Sequence, residues 1–343
     1  MMKKSQRKNA DFPYHMDNFL LKYMPARNLS LNTINSYGDT LLLFMEYIEL
    51  THSISRDNLS MTDITPTLVD EFTQWLEKER NCSQSTCNNR LAAIKSFVKY
   101  VSKKDAKYVY IAQQIKELET KEAPSPAIKH LTKNQTKLLI ESPNKNRRKG
   151  RRDLALLSLL YDSAARVQEL CDLTVGSIRV DDAPVVTLTG KGNKTRTVPI
   201  MQGTAQLLKS YMEENNLNCS EKLEYPLFSN ARGEKLTRAG VTYIVKKYFN
   251  AAKEKDPTMP DKISPHVLRH SRAMHMLQSG IHLVYIRDFL GHSFVQTTEV
   301  YARADPETKR KDIEKAQLHI DTDLPDWRLN KKLMDFLAEF RKS

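Results

Sequence analysis

Apolar residues recur at helical spacing through most of the chain, and the period changes only once. Behind Ser30-Leu31-Asn32-Thr33, which looks like an N-cap, Ile34, Tyr37, Leu41, Leu42, Phe44, Met45 and Ile48 follow a helical repeat. Thr65-Pro66 opens a second helix, with proline in the first turn where its missing N–H is harmless. Val69, Phe72, Trp75 and Leu76 form its stripe. Ser83 to Ser85 cap a third helix that carries Leu91, Ile94, Phe97, Val98 and Val101 on one face. Its other face shows Asn88, Asn89, Arg90, Lys95 and Lys99, the basic-polar stripe that a groove-reading helix needs. The same stripe also suits an ordinary amphipathic helix.

Residues 12–118 therefore read as one helical domain after a basic, flexible start at 1–11. Residues 119–130 contain two prolines and little apolar content, which marks a linker. A second domain starts near Leu131 and runs to about 316. In it Leu154, Ala155, Leu157, Leu159 and Leu160 mark a buried helix. Then the repeat shortens. Val185 to Thr189 is β-branched, Gly190-Lys191-Gly192-Asn193-Lys194 is turn-like, and Thr197 to Ile200 is extended again, which predicts a β-hairpin. Helical patterns return at 203–214, 237–255, 265–279, 283–289 and 294–315. The remainder, 317–343, reads as a helical tail. Within the end of the chain, Asp305 to Gln317 and Trp327 to Phe340 each suit a helix. The expected fold is thus mainly α with a small β-hairpin or sheet in the second domain.

Composition narrows the function. A chain of 343 residues fits two domains. The formal net charge is +13, and it is uneven. The first 120 residues carry 16 basic and 14 acidic side chains, and the rest carry 38 and 27. An excess of cations in the second domain suggests a polyanion, with nucleic acid as the first candidate. Cys82, Cys87, Cys171 and Cys219 form no C-x-x-C pair and no disulfide framework, so a reducing, cytoplasmic setting is expected. The most apolar run, Leu154 to Tyr161, is far shorter than the roughly 20 residues of a membrane span.

The second domain also carries an ordered set of chemistry-bearing residues. Ala165-Arg166-Val167-Gln168-Glu169-Leu170 comes first, then Lys191 in the hairpin turn, then His266-Val267-Leu268-Arg269-His270, then Leu290-Gly291-His292, and finally Tyr301 nine residues on. In this order they resemble the tyrosine recombinase (phage integrase) family. ARVQEL resembles its Arg-x-x-Glu-Leu box, and TGKGNKTRTVPI its lysine-bearing hairpin. HVLRHSRAMHMLQSG resembles the His-x-x-Arg-His box, and IRDFLGHSFVQTTEVYA the Leu-Gly-His…Thr-x-x-Tyr box. The ordered match covers 131 to about 303. Residues 12–118 resemble the helical, SAM-like core-binding domain that precedes it, in the two-domain layout of Xer and Cre. The resemblance implies an α-helical core-binding domain followed by an α+β catalytic domain.

The residue types suit phosphoryl transfer, which needs a nucleophile and positive charge on the phosphate oxygens. Arg166 and Arg269 each offer a planar donor fork. His266 and His292 can donate hydrogen bonds and move protons near neutral pH. Tyr301 is the oxygen nucleophile, and neighbouring cations are expected to help its deprotonation. The resemblance implies a 3′-phosphotyrosyl intermediate and release of a 5′-hydroxyl, with Lys191 protonating that oxygen and Glu169 supporting the basic residues. Lys194 is a near competitor of Lys191. The bond energy stays in the protein–DNA link, so no cofactor and no metal are expected. His266 and His270 have metal-compatible spacing, but Arg269 stands between them and no carboxylate accompanies them. His270 and His275 read as structural, and Tyr285 as packing.

Lys145 to Arg152 holds six basic residues in eight. It reads either as a phosphate-gripping loop beside the active site, with Arg147, Arg148, Arg151 and Arg152 as contacts, or as a solvated charge run. In the tail, Leu329, Leu333, Phe336, Leu337 and Phe340 form an apolar stripe that packs either on its own domain or, the favoured reading, on a partner. The expected partners are double-stranded DNA carrying a specific site and further copies of the chain, as a tetramer on paired sites. An accessory DNA-bending or directionality protein is a further candidate, and the expected location is at the nucleoid. The competing functions are a monomeric type IB-like topoisomerase, which shares the residue set, and a DNA-binding regulator that keeps the fold without catalysis.

Overall fold

Two units, 1–126 and 127–343, make up the computed structural model, which describes residues 10–122, 128–190, 192–292, 296–304 and 330–340. The first unit is helical throughout. A short helix α1 (Phe12–Asp17) leads to α2 (Leu31–His52), α3 (Pro66–Lys78), α4 (Gln84–Lys104) and α5 (Val109–Glu117). The starts follow from local chemistry. Ser30, Thr65 and Ser83 have extended backbones, and their hydroxyls accept from the N–H groups of Thr33, Leu68 and Thr86. Each cap of this kind contributes about 1 kcal/mol. α2 stops at Ser53, whose φ of 55° lies in the left-handed region.

The apolar stripes of these helices meet in one core. Phe12, Phe19, Phe44, Phe72 and Phe97 are all 0–1% exposed there. Burying each such side chain contributes roughly 1.5–3 kcal/mol. Asp11 ties the chain start to this core, accepting from the Met61 N–H at 2.8 Å, the Ser60 hydroxyl at 3.1 Å and the Tyr108 hydroxyl.

The second unit is built round α7 (Arg148–Asp162), which follows α6 (Lys133–Glu141). Leu154 to Leu160 is apolar except for Ser158, and all of it is buried, so α7 is covered on every side. Gly150 lets it start close to the preceding loop, since a Cβ there would lie 1.9 Å from the Asn144 carbonyl oxygen. α8 (Val167–Cys171) comes next, then the strands β1 (Ile178–Arg179), β2 (Val185–Thr189) and β3 (Thr195–Pro199). They form an antiparallel sheet in the order β1-β2-β3, so the expected hairpin gains one short strand. Gly192 and Asn193 turn the hairpin with φ of 76° and 57°. Val186 faces Val198 and Leu188 faces Arg196. With Val186, Leu188 and Val198 buried, this register puts Arg196 on the inner face of the sheet.

The helices α9 (Gln202–Glu214), α10 (Arg238–Lys253), α11 (Pro265–Gln278), α12 (Leu283–Leu290) and α13 (Gln296–Ala304) complete the described part of the second unit apart from its tail. α7 packs on α9 and α11, and α11 packs on α12 and α13. The expectation of a helix over 294–315 is met for the described part, 296–304. Asp305 to Gln317 and Leu329 lie outside the described residues. The tail helix α14 (Lys331–Phe340) has Leu333, Met334 and Leu337 at 37%, 41% and 45% exposure. Among the described residues, no helix is long and apolar enough to cross a membrane.

Candidate active site

The site starts from a strained turn. Between α7 and α8 the chain passes Ala164, a fully buried residue with φ of 47°. Left-handed backbone at a non-glycine is costly and needs support from its surroundings. The support comes from Arg269 on α11, which is 3% exposed and donates from Nη1 to the Ala164 carbonyl at 2.7 Å. Its Nη2 donates to the Leu290 carbonyl at 2.6 Å, at the end of α12. One guanidinium thus joins the Arg-x-x-Glu-Leu and Leu-Gly-His boxes, and each Nη keeps a second hydrogen for a ligand. Burial, then Arg166, lowers its pKa to about 10, so it stays charged at neutral pH.

Arg166 caps α8. Its backbone N–H donates to Glu169 Oε2 at 2.8 Å and its Nη1 to Oε1 at 2.7 Å. The Arg166 side chain is 37% exposed, while Glu169 is 3% exposed. Glu169 is also gripped by Arg196 through two bonds of 2.9 and 2.8 Å. Burial pushes the Glu169 carboxyl up, but the hydrogen bonds from Arg196 and from the Arg166 backbone outweigh it and hold the pKa at about 2. Arg196 Nε donates to the Phe289 carbonyl at 3.1 Å. Gly291 beside it has φ of 64° and ends α12, and a Cβ there would lie 2.9 Å from Arg196. The carboxylate therefore sits between two arginines and fixes both. Arg196 escaped the sequence reading. Its signal was the inward register of β3, which places a cation on a core face.

His292 follows Gly291, and its Nδ1 lies 3.0 Å from the hydroxyl of Thr298, a fully buried residue on α13. Burial, then Arg269, Arg166 and Arg196, lowers its pKa to about 4. His266 is on the exposed side of the first turn of α11, and desolvation and the charges of Arg269, Arg166 and Arg238 lower its pKa. His292 is therefore neutral at pH 7 in the free protein, and His266 is shifted in the same direction. Lys191 lies outside the described residues. Lys194 is exposed, and its carbonyl closes the hairpin turn by accepting from the Gly190 N–H.

Tyr301, on α13, is 3% exposed and packs with Ala164, Met274, Ile286 and Leu290. Its hydroxyl is 2.8 Å from Nδ1 of His270. The expected cations are near, since Arg269 and Arg166 both lower its pKa, but burial outweighs them and the net direction is upward. The neighbouring cations thus act in the expected direction, and burial opposes them in the free protein. His275 matches a structural reading: its ring nitrogens face the Tyr161 hydroxyl at 2.8 Å and the Leu131 carbonyl at 2.9 Å. Tyr285 does not pack. It is 70% exposed, because the buried stripe of α12 is Ile286 and Leu290 on the opposite side.

The candidate DNA-contact residues divide in two. On α4, Asn89 and Lys99 are exposed, whereas Asn88 donates to the Lys121 carbonyl, Lys95 donates to the Leu118 carbonyl and Arg90 is half-buried. At the start of α7, Arg147 is exposed. Arg151 makes a fork onto Glu214, Arg148 donates to Asn215, and Arg152 donates to Asp153 and the Ser229 carbonyl. These bonds go to none of Arg166, His266, Arg269, His292 and Tyr301. They border an open cleft of about 620 Å³ lined by Arg148, Lys149, Arg152, Tyr243 and Lys247. Among the described residues no group of His, Cys, Asp and Glu is arranged to hold a metal ion.

A helical unit followed by a mixed unit in which arginines, histidines and a tyrosine converge is the arrangement of a tyrosine recombinase. The phage integrase family matches residues 129–308, and the phage integrase N-terminal SAM-like domain matches 16–105. The chain belongs to the phage integrase family. A tyrosine recombinase XerC of Roseiflexus castenholzii is 31% identical over 294 residues, 84% of this chain and 88% of its own. A putative integrase/recombinase y4rD of Sinorhizobium fredii is 34% identical over 254 residues, covering 74% and 90%. Among solved structures, the XerH site-specific recombinase bound to a palindromic difH substrate, in a post-cleavage complex, aligns with a TM-score of 0.68 at 23% identity over 91% of each chain. The Tn1549 transposon integrase in complex with transposon right end DNA aligns with a TM-score of 0.67 at 16% identity, covering 88% and 98%. These likenesses support the mainly helical, two-domain fold.

Proposed function

We propose that this tyrosine recombinase cuts and rejoins DNA at a specific site through a 3′-phosphotyrosyl bond to Tyr301. The observation that carries the reading is the convergence on one small volume of four separated sequence boxes, with Arg269 bonded to both Ala164 and Leu290 and the Tyr301 hydroxyl 2.8 Å from Nδ1 of the adjacent His270. A scissile phosphate carries one negative charge. Arg166 and Arg269 hold its non-bridging oxygens, and His266 and His292 add hydrogen bonds. The Tyr301 oxygen forms a bond to phosphorus, the bond to the 5′ oxygen breaks, and Lys191 gives that oxygen its proton. The 5′-hydroxyl of a second strand reverses the step and frees the tyrosine. Glu169 and Arg196 position Arg166 and the hairpin and touch no DNA.

Residues 12–118 act as the core-binding domain, with Asn89 and Lys99 on the exposed face of α4 toward the duplex and Asn88, Arg90 and Lys95 shaping that face. Arg147 and Lys149 add phosphate contacts, while Arg148, Arg151 and Arg152 hold the loop. The chain works as a tetramer on two paired sites, and α14 docks on a neighbouring copy through Leu333 and Leu337. Recombination between two marked sites on one plasmid tests the reading. Products joined across the two sites are expected. Relaxation of supercoils without joined products would favour a monomeric topoisomerase instead.

A further inference from the structure

The chemistry above leaves one step without an owner. Tyr301 must lose its phenolic proton as it attacks; both flanking arginines are donors only, His292 Nδ1 is turned to the Thr298 hydroxyl, and among the described residues the imidazole at hydrogen-bond distance from the Tyr301 hydroxyl is that of His270. We infer that His270 is the acceptor: as the Tyr301 oxygen bonds to phosphorus, its proton passes to Nδ1 of His270. This rests on the reading of Tyr301 as the nucleophile. The geometry carries it. Nδ1 lies 2.8 Å from the hydroxyl oxygen, within the reach a general base needs. The imidazole ring is set at 51° to the phenol ring with centroids 5.7 Å apart, so the contact is made by the nitrogen edge rather than by stacking.

Both partners are held on packed elements. His270 is on α11 next to Arg269, and Tyr301 is on α13, which packs against α11. The surroundings keep the ring ready. Burial, then His266 and Arg269, holds the His270 pKa at about 4, so the ring is unprotonated and can accept at neutral pH. Proton transfer places a cation beside the entering phosphate, whose transition-state charge then stabilises it. The arrangement also separates two proton duties. Lys191 serves the leaving oxygen and His270 the entering one.

The test measures single-turnover formation of the covalent protein–DNA adduct on a nicked suicide substrate by the full-length chain. His270→Ala is expected to bind the site normally and to cleave about 100-fold or more slowly, in the range of general acid–base effects. His270→Gln keeps an acceptor for the hydroxyl but cannot take up the proton, so it should remain nearly as slow. A substrate with sulfur in place of the bridging 5′ oxygen needs no protonation of its leaving group. It should rescue Lys191→Ala and leave the His270 variants slow. Restoration of near wild-type rate by glutamine would show that His270 only positions the hydroxyl, and rescue of His270→Ala by the sulfur substrate would assign it to the leaving group. Either outcome overturns the inference. Tyr301→Phe separates this from the underlying reading, because an adduct formed by that variant would remove the nucleophile itself, whereas loss of the adduct there with normal rates in both His270 variants would remove only the base.

Discussion

Replacing Arg196 with methionine should destabilise the second unit strongly, and by an amount that depends on pH. Arg196 supplies two bonds to Glu169 and one to the Phe289 carbonyl, and it is 13% exposed. Methionine retains much of the length and removes the charge. Glu169, 3% exposed, would keep only Arg166 as its cation. Removing one member of a buried ion pair costs about 3–5 kcal/mol. The proton affinity of Glu169 gives a second route to the size. Its pKa falls from 4.5 to about 2, and each factor of ten in affinity is worth roughly 1.4 kcal/mol, so the carboxylate's surroundings stabilise the fold by about 3 kcal/mol.

The folded pKa lies below the unfolded one, so this stability is fully present above pH 4.5 and drains away as the pH falls toward 2. In Arg196→Met the buried carboxylate loses its main partner, and protonation then relieves the fold instead of weakening it. The gap between wild type and variant should be widest at pH 7 and should narrow by about half or more at pH 3. Other carboxylates titrate in both proteins and drop out of the difference. Calorimetry should show the melting temperature of the second unit falling by about 6–12 °C at pH 7, at 2–4 °C for each kcal/mol in a domain of this size. A fall under about 2 °C at pH 7, well below the cost of a broken buried pair, would refute the reasoning. So would a fall of the same size at both pH values.

Two further outcomes follow from the geometry. Gly291→Ala forces a side chain into a left-handed position with φ of 64° and against Arg196 at 2.9 Å, so it should cost about 1–3 kcal/mol in melting experiments; an unchanged melting temperature would sink this view of the turn. Deleting 325–343 should leave single-site binding within about tenfold while recombination falls much further, since the proposed ring of copies would lose the same contact at every interface. A truncated protein that melts early and fails binding and cleavage equally would mean that α14 covers its own unit.

How much could be read from the residues alone depended on whether a feature was local or long-range. Helix starts at Ser30, Thr65 and Ser83 were legible because a cap and the N–H it satisfies lie within three residues. The resemblance to known boxes picked out Arg166, Glu169, His266, Arg269, His292 and Tyr301, although it said nothing of how they bond. Arg196 went unread as a site residue because Glu169 is 27 positions away, and its one mark was the inward place of a cation in the β3 alternation. The bonds made by the arginines at 148–152 were not legible, because a charge run shows its cations and hides Glu214 and Asn215, more than sixty residues on. Tyr285 misled for a different reason. HLVYIRDFL is apolar on most of its circumference, so the pattern cannot say which face turns inward, and the packing of α12 on α11 decides it.

The central claim is that Tyr301 becomes covalently joined to DNA. The most direct measurement traps the adduct on a nicked suicide substrate, digests protein and DNA, and locates the nucleotide-bearing peptide by mass spectrometry. The account predicts a single modified peptide carrying a 3′-phosphate link on Tyr301, and none from Tyr301→Phe. A nucleotide attached to any other residue, or an adduct of equal yield from Tyr301→Phe, would contradict it.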